Sequence, residues 1–293
     1  MNPQEHGVFM VSLDFELYWG LHDRKPISQY SRNLDGVPIA VKGILDLFHE
    51  HKIHATWATV GFLFLRDFNE LKQKIPENYP EYHDTSLSPF NYVSKNGELE
   101  PRYHFAPHLI DLIMSYDNQE IGTHTFSHYY CLEKGQDSET FRQDLRASLE
   151  IGREKDLEMR SLVFPGNQFN PVYTPVLNEL GIKCYRGNPS GFLYTALKEN
   201  DAGKFVRVCR LLDAYLNISG YHTYDFADLT QTKPYNIPSS RFLRPYSRMM
   251  KMLENLRLQR IKASMNHAAK YGRLFHLWWH PHNFGIDTPE NLA

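Results

Sequence analysis

Length, composition and charge narrow the kinds of protein that this chain can be. Its 293 residues are enough for two average domains or one large one, and 42% of them are hydrophobic, which supplies a core and argues against intrinsic disorder. The chain has 32 Lys and Arg residues and 34 Asp and Glu residues, which gives a net charge of 32 − 34 = −2 with histidine neutral. It therefore lacks the overall basic surface that would bind nucleic acid or an anionic membrane. We therefore expect a globular protein with no nucleic-acid partner.

The cysteines and the first residues of the sequence bear on the compartment. Cys131, Cys184 and Cys209 are an odd number without close spacing, which predicts neither a disulfide framework nor a cysteine-based zinc site. The N-terminal residues carry no positive region ahead of an apolar core, and no apolar run reaches the length of about 18 residues that a membrane span needs. These features predict a cytoplasmic location and no membrane span.

Short apolar runs alternate with longer amphipathic ones along the chain. In order, the pattern predicts a strand at 7–14, a helix at 37–51, a strand at 53–60, a helix at 109–116, a strand at 120–123, a helix at 138–157, a strand at 162–164, a helix at 171–180, a strand at 182–185, a helix at 239–271 and a last strand at 274–279. This alternation is typical of an α/β fold with a mainly parallel sheet.

Two stretches interrupt the alternation. Residues 67–106 are polar, rich in turn residues and too long for an ordinary connection, so we expect a functional insertion within a single domain that spans 1–293. Residues 188–237 are similarly irregular.

Polar side chains follow several of the predicted strands. In parallel α/β folds, chemistry takes place where strands end at their carboxyl side. Asp14 and Glu16 end the first strand, and because residues i and i+2 share a face, both carboxylates should project together. Buried carboxylates are costly unless they are paired or bind a metal, so the two either serve such a site or form a solvated pair at a loop mouth.

Histidine spacing gives a second candidate feature. The chain has fifteen histidines, and a pair at i, i+4 also arises by chance in such a composition. His124 and His128 directly follow a short predicted strand, so either both imidazoles face one ion or they are ordinary loop histidines. With one carboxylate they would form a three-ligand metal site, and the second carboxylate would be free to act as a base.

The last predicted strand carries His276, His280 and His282 on one face. A histidine at a strand end can protonate a leaving amine near neutral pH, and Asn283 could assist it by hydrogen bonding. The alternative is a polar stripe on the sheet without a chemical role.

Five short motifs resemble those of the polysaccharide deacetylase family, also called carbohydrate esterase family 4 or the NodB-homology domain. They are SLDFE at 12–16, ATWATVG at 55–61, HTFSH at 124–128, VFPG at 163–166 and HPHN at 280–283. HTFSH matches the family's two-histidine motif in full, whereas the others are variants. The resemblance covers most of the chain and implies a distorted (β/α) barrel of about seven strands.

The resemblance also implies a reaction and roles for the residues in it. The implied activity is metal-dependent N-deacetylation of an N-acetylated amino sugar, a hydrolysis of a carbon–nitrogen bond. Glu16, His124 and His128 would hold a divalent ion, with Zn²⁺ preferred and Co²⁺, Mn²⁺, Fe²⁺ or Ni²⁺ not excluded by the ligand types. Asp14 would be the catalytic base, and His280 would protonate the departing amine, with His282 as the alternative acid.

Two departures from the family pattern leave questions open. Phe15 stands where relatives have a second Asp, so either Asp14 or Glu16 could be the metal carboxylate. Val163 replaces the Arg that orients the catalytic Asp in relatives. Arg186, after the next predicted strand, could substitute for it, and the alternative is a surface arginine.

The remaining expectations concern the substrate. Candidate substrate-binding residues are Tyr18 and Trp19, which could stack on a sugar ring or simply pack, and Pro165, Gly166, Asn167 and Asn283. A cytoplasmic deacetylase would act during synthesis of a surface polysaccharide such as O-antigen or capsule. Its substrate would be either a small-molecule sugar linked to a nucleotide or a sugar linked to a lipid. Two other functions stay open: another C–N hydrolase on the same scaffold, acting on a cyclic ureide or a formyl amide, and a non-catalytic sugar-binding relative.

Overall fold

Apolar strands that pair in parallel form the centre of the molecule. The structure is a computed structural model that describes residues 6–97, 99–194 and 204–293. Within these residues one sheet contains eight strands: β1 Val8–Phe15, β2 Ala55–Thr59, β3 Gln119–Thr123, β4 Ser161–Val163, β5 Cys184–Gly187, β6 Tyr235–Pro238, β7 Arg241–Phe242 and β8 Leu274–Trp279. Their order is β6-β5-β4-β3-β2-β1-β8-β7, and each neighbouring pair is parallel.

The two edge strands of this sheet are consecutive in the chain. Only Ser239 and Ser240 separate β6 from β7; Ser239 N–H donates to Gly187 O of β5 (2.9 Å) and Ser240 N–H to His276 O of β8 (2.8 Å). One extended segment, residues 235–242, therefore pairs with β5 at its start and with β8 at its end. Counted as one strand, it closes a ring of seven, so the expected α/β fold, a distorted barrel of about seven strands, is confirmed.

The helices cover the outside of this ring. The α-helices of the described residues are α1 Ile27–Asp35, α2 Val37–Glu50, α3 Phe68–Lys74, α4 Pro89–Asn96, α5 Pro101–His104, α6 Pro107–Met114, α7 Ser138–Arg153, α8 Thr174–Glu179, α9 Lys204–Asp213, α10 Phe226–Leu229, α11 Glu254–Lys270 and α12 Thr288–Leu292. Asp137 starts α7 with a capping box, in which its carboxylate accepts from Thr140 N–H while Thr140 Oγ1 accepts from Asp137 N–H. None of the described helices combines the length and the apolar character needed to cross a lipid bilayer.

The side chains of β1 show how the strands separate core from site. Val11, Leu13 and Phe15 are buried in the hydrophobic core, where Phe15 meets Trp57 of β2 edge to face with ring centroids 6.2 Å apart. Ser12 and Asp14 alternate with them and are equally buried, on the opposite face of the strand, inside the ring. The barrel interior is therefore polar at the level of Asp14.

The helix predicted at 239–271 is wrong in its first third. Residues 239–247 contain β7 and a loop with Pro245, and α11 begins only at Glu254. A helix does not form here because residues 241–242 pair with β8 and complete the ring, and because Pro245 would interrupt a helix. The irregular stretch 188–237 contributes β6 as well, a four-residue strand too short to be recognised from its pattern.

Candidate active site

Asp14 is held by a buried arginine from a strand on the other side of the ring. Arg186 of β5 donates from Nη1 to Asp14 Oδ1 (2.6 Å) and from Nη2 to Asp14 Oδ2 (2.7 Å), and both side chains are 4% exposed or less. Nη1 also donates to Ser12 Oγ (3.0 Å) and Nη2 to Asn167 Oδ1 (3.1 Å). Burial alone would raise the pKa of Asp14, but the charge of Arg186 outweighs it and lowers the pKa below its usual value. Asp14 is therefore a carboxylate at neutral pH.

Glu16 directly follows β1 and faces two histidines. Its Oε2 is 3.3 Å from His124 Nε2 and 3.1 Å from His128 Nε2, and the three ligand atoms lie within 4.8 Å of one another. All three residues are buried. Burial opposes ionisation of Glu16, yet the charge of His280 and the close contacts of its carboxylate with His124 and His128 bring its pKa well below the usual range. Glu16, rather than Asp14, is thus grouped with the two histidines.

The turn that carries the histidines has an unusual backbone that several contacts maintain. Thr125 and His128 have positive φ angles of 63° and 60°, a conformation that side chains other than Gly rarely adopt. Phe126 N–H donates to Asp144 Oδ1 of α7 (2.7 Å), and Gly61 N–H donates to Thr125 O (2.9 Å). A Cβ on Gly61 would lie 2.8 Å from Phe126 Cα, so glycine is required for this close approach.

His124 has its second nitrogen engaged in a way that suits metal binding. Its Nδ1 lies 2.9 Å from Val163 O, so the proton of a neutral ring belongs on Nδ1 and the lone pair of Nε2 points to Glu16. Nε2 of His124 is buried without any hydrogen-bond partner among the described residues. The position where relatives have an arginine side chain, Val163, contributes its backbone carbonyl here.

His280 and His282 differ in what they face. His280 Nε2 lies 3.4 Å from Glu16 Oε1 and 3.7 Å from Asp14 Oδ2, and its side chain is 22% exposed. His282 is buried behind it, stacked on its ring at 5.0 Å between centroids, and does not line the cavity described next. Burial lowers the pKa of His282 to about 3, helped by the charge of His280, so His282 is neutral at pH 7. Of these two histidines, His280 is the one that lines the cavity beside Asp14 and Glu16.

These groups meet at the bottom of a cavity of about 810 Å³ at the carboxyl ends of the strands. Asp14, Glu16, His128 and His280 line its floor. The predicted insertion, residues 67–106, contributes to its wall through Asp84, Ser86 and Leu87. A volume of this size is typical of a site for a small molecule rather than for an ion alone.

The structure separates the predicted substrate-binding residues into two groups. Gly166 and Asn167 line the cavity, with Pro165 buried directly before them. Asn283 lies behind His280, accepts from Tyr30 O–H (2.8 Å) and comes within 3.5 Å of His280 Nδ1, so it contacts the histidine and not the cavity.

Tyr18 and Trp19 require a correction. Trp19 is fully buried and donates from Nε1 to His104 O (2.7 Å), and Tyr18 is 3% exposed and donates from its hydroxyl to Lys25 O (2.6 Å). The expectation that they stack on a sugar is wrong, because both rings are packed among other aromatic side chains, Tyr92 and His104 included. The alternative expectation, that Tyr18 and Trp19 simply pack, matches the structure.

Sequence reasoning missed two residues that support the Asp14–Arg186 pair. Ser12 Oγ contacts both Arg186 Nη1 and His276 Nε2 (2.8 Å), and the ring of Trp278 lies 4.1 Å from the centre of the Arg186 guanidinium. Both residues precede a predicted site residue by two positions, on the same strand face. The period of two that paired Asp14 with Glu16 would also have pointed to them.

Comparisons with known proteins agree on the fold. No family model matches the sequence, and no curated protein matches it either. Among solved structures, a Mycobacterium smegmatis protein that carries the provisional name of a polysaccharide deacetylase superposes with a TM-score of 0.54 at 14% identity, over 96% of this chain and 79% of that one. A 4-alpha-glucanotransferase from Thermococcus litoralis gives 0.50 at 10% identity, over 96% of this chain but 34% of its own length. A family 4 carbohydrate esterase from Streptococcus mutans gives 0.42 at 12% identity, over 99% and 82%. The first two superpositions, with TM-scores of 0.54 and 0.50, show that the chain shares its fold with the Mycobacterium smegmatis protein and with part of the glucanotransferase.

Proposed function

We propose that this protein is a metal-dependent hydrolase that removes the N-acetyl group from an amino sugar. The observation that carries the proposal is the grouping at the cavity floor. An ionised carboxylate, Asp14, lies beside the Glu16–His124–His128 group, with His280 in contact with both. Amide hydrolysis needs a base, a group that stabilises the oxyanion and an acid for the leaving amine, and the floor supplies candidates for each.

The Glu16–His124–His128 group fits a divalent cation. Two neutral imidazole nitrogens and one carboxylate oxygen are the donors of a catalytic zinc site with an open position, and other first-row ions accept the same set. The unpartnered Nε2 of His124 and the backbone contact of its Nδ1 match the usual arrangement of a ligating histidine. When bound there, the cation would act as a Lewis acid on the acyl carbonyl.

Asp14 and His280 would carry the proton transfers. Arg186 occupies both carboxylate oxygens of Asp14 from one side and keeps the group ionised, so that it can accept a proton from the attacking water. His280 has a partly exposed ring in the same cavity and would donate a proton to the nitrogen as the C–N bond breaks. Arg186 would act as a positioning residue, because its guanidinium touches Asp14 and is 2% exposed.

The proposal extends to the biological setting. An N-acetylated amino sugar in surface-polysaccharide synthesis, O-antigen or capsule, is the substrate class that we expect, with a cytoplasmic location. The cavity is large enough to take a sugar together with the group that carries it, which supports a substituted sugar over a free acetamide.

The test combines metal analysis with release of acetate. Purified protein should contain or take up about one equivalent of a divalent cation and should release acetate from N-acetylated amino sugars. His124→Ala and the shape-conserving Glu16→Gln should both lose metal and activity, while the exposed His51→Ala retains both.

Each alternative has its own outcome in that assay. Formate or ammonia release in place of acetate would move the assignment to another C–N hydrolase. Stoichiometric metal retained in His124→Ala would overturn the ligand assignment. Absence of any acyl release with metal bound would favour a non-catalytic sugar-binding role.

A further inference from the structure

One side of the cavity is basic. Four arginines line it: Arg207 and Arg210 from α9, and Arg241 and Arg244 from the segment that begins with β7. We call these four residues the arginine wall. The floor of the same cavity carries the carboxylates Asp14 and Glu16, so the cavity has an acidic, metal-type end and a basic end.

Most of the positive charge of the arginine wall has no carboxylate partner among the residues that the structure describes. Arg241 is compensated, because its Nη1 donates to Asp213 Oδ2 (3.1 Å) and Asp213 O (3.0 Å). Arg210 Nε donates to the carbonyl of Leu193, which is neutral. Within the described residues, no carboxylate forms an ion pair with Arg207, Arg210 or Arg244. Three guanidinium groups therefore face the cavity without a counter-charge from this part of the chain.

Two of these three groups are also partly desolvated. Burial lowers the pKa values of Arg210 and Arg244 below the usual arginine value. A guanidinium that has lost water without gaining an anion is unfavourable, and an anionic ligand would offset that cost. A surface arginine kept only for solubility would not be withdrawn from water in this way.

The arginine wall begins next to the reacting end of the site. The ring of Phe242 lies 5.8 Å from that of His280 and 4.8 Å from that of Trp278, between centroids. Arg241 is its direct neighbour and Arg244 follows two residues later, which is at most about 7 Å of backbone at the rise of an extended strand. A ligand can therefore hold its acyl amide at the floor and an anionic group at the wall within one molecule.

We propose that the substrate is a glycosyl phosphate or diphosphate whose phosphate oxygens accept hydrogen bonds from Arg207, Arg210 and Arg244. The inference rests on the proposed N-deacetylation and adds the class of sugar to it. Three uncompensated charges suit a phosphate or diphosphate with two or more negative charges better than the single charge of a uronate. The planar guanidinium fork also matches phosphate oxygens in pairs.

Binding of inorganic pyrophosphate, followed by calorimetry, tests the arginine wall without any reaction. Wild-type protein should bind it, and Arg244→Gln or the double variant Arg207→Gln/Arg210→Gln should weaken that binding roughly 10–100-fold. Arg160→Gln is the matched control, because Arg160 is exposed and directly precedes β4, at the opposite end of the barrel. His124→Ala should bind pyrophosphate as the wild type does, since it keeps the wall.

Comparison of kcat/KM for four substrates then shows which group is attached to the sugar in the preferred substrate. An N-acetylhexosamine 1-phosphate, its nucleoside-diphosphate form and its short prenyl-diphosphate form should each show a higher kcat/KM for acyl release than the free N-acetylhexosamine. The Arg244→Gln variant should lose this advantage through a higher KM for the phosphorylated forms, whereas the exposed control Arg160→Gln should keep it. Whichever of the three phosphorylated forms reacts best identifies the substrate as the plain glycosyl phosphate, the nucleotide-linked sugar or the lipid-linked sugar.

The outcomes separate this inference from the proposed function. Equal kcat/KM for free and phosphorylated sugars, or pyrophosphate binding that Arg244→Gln and the double variant leave unchanged, would overturn the glycosyl phosphate. Pyrophosphate binding that depends on the arginine wall, together with no acyl release from any sugar, would support the anion site and count against N-deacetylation. A preference for an N-acetylated uronate over the phosphates would likewise refute the inference.

Discussion

The Asp14–Arg186 pair permits a quantitative test that does not depend on the reaction. Two charge-assisted hydrogen bonds of 2.6 and 2.7 Å join side chains that are 4% exposed or less. Breaking a buried pair of this kind leaves one charge without its partner and costs about 3–5 kcal/mol. We therefore expect Arg186→Met and Asp14→Ala each to lower the free energy of unfolding by about that amount. The double variant should lose less than the sum, with a coupling energy of about 2–3 kcal/mol.

The stability lost in Arg186→Met should also depend on pH, in a direction that the pKa of Asp14 determines. In the wild type the pKa of Asp14 is lowered, so its contribution to stability is present above the usual pKa and disappears as the pH falls through the lowered value. In Arg186→Met the burial that opposes ionisation is no longer offset, and the pKa of Asp14 should rise above its usual value. The deficit of Arg186→Met should therefore be smaller at pH 4 than at pH 8.

Urea unfolding followed by circular dichroism measures both quantities. The control cycle uses Arg160→Met and Glu158→Ala, an ion pair with the same 2.6 Å separation but with side chains 54% and 74% exposed, for which we expect almost no coupling. Additive losses at Asp14 and Arg186, or a deficit that does not change with pH, would refute the reasoning.

Two further predictions concern Gly20 and Asp213. A Cβ on Gly20 would lie 2.0 Å from Glu16 Oε1, so Gly20→Ala should displace the carboxylate and weaken Zn²⁺ binding about 10–100-fold in a chelator competition. The Tm should change little, because the atom that must move is the end of a side chain. Unchanged Zn²⁺ affinity would contradict the role of Glu16. Burial opposes ionisation of Asp213, but hydrogen bonds from Ser219 and Tyr194 outweigh it and lower the pKa of Asp213 to about 2, so this carboxylate should contribute about 2 kcal/mol at pH 7. That contribution is lost as the pH falls from about 4 through 2. The free energy of unfolding of Asp213→Asn, measured over this pH range, should therefore differ most from that of the wild type near pH 7. An equal difference at pH 2 would contradict the prediction.

The sequence was most informative where local pattern and tertiary structure agree. The strand predicted at 274–279 matches β8 residue for residue, and α2 differs from its predicted end by one residue. Motif spacing located Asp14, Glu16, His124 and His128 because strand ends and a tight turn place residues near one another in sequence. These are the parts of the site that local geometry alone determines.

The parts that failed depend on distant contacts. Whether Arg186 reached Asp14 or solvent could not be decided from its own neighbourhood, because the two residues are on strands separated by 172 positions in the chain. Tyr18 and Trp19 come two and three residues after Glu16, yet the 3₁₀ helix Leu17–Gly20 places their side chains in the core. The arginine wall combines residues from α9 and from the segment that begins with β7, so no local sequence motif predicts it.

The pairing of β1 with β8 has a consequence for how the protein becomes active. Val8 is in register with Leu274, and the candidate active-site residues Asp14 and His280 lie at the carboxyl ends of these two strands. During synthesis, the edge of β1 that β8 later covers stays unpaired until β8 has left the ribosome, 274 − 8 = 266 residues after Val8, and a free strand edge of this kind favours aggregation. Because Asp14 and His280 come together only at this last step, the candidate active site can assemble only after the ring of strands has closed.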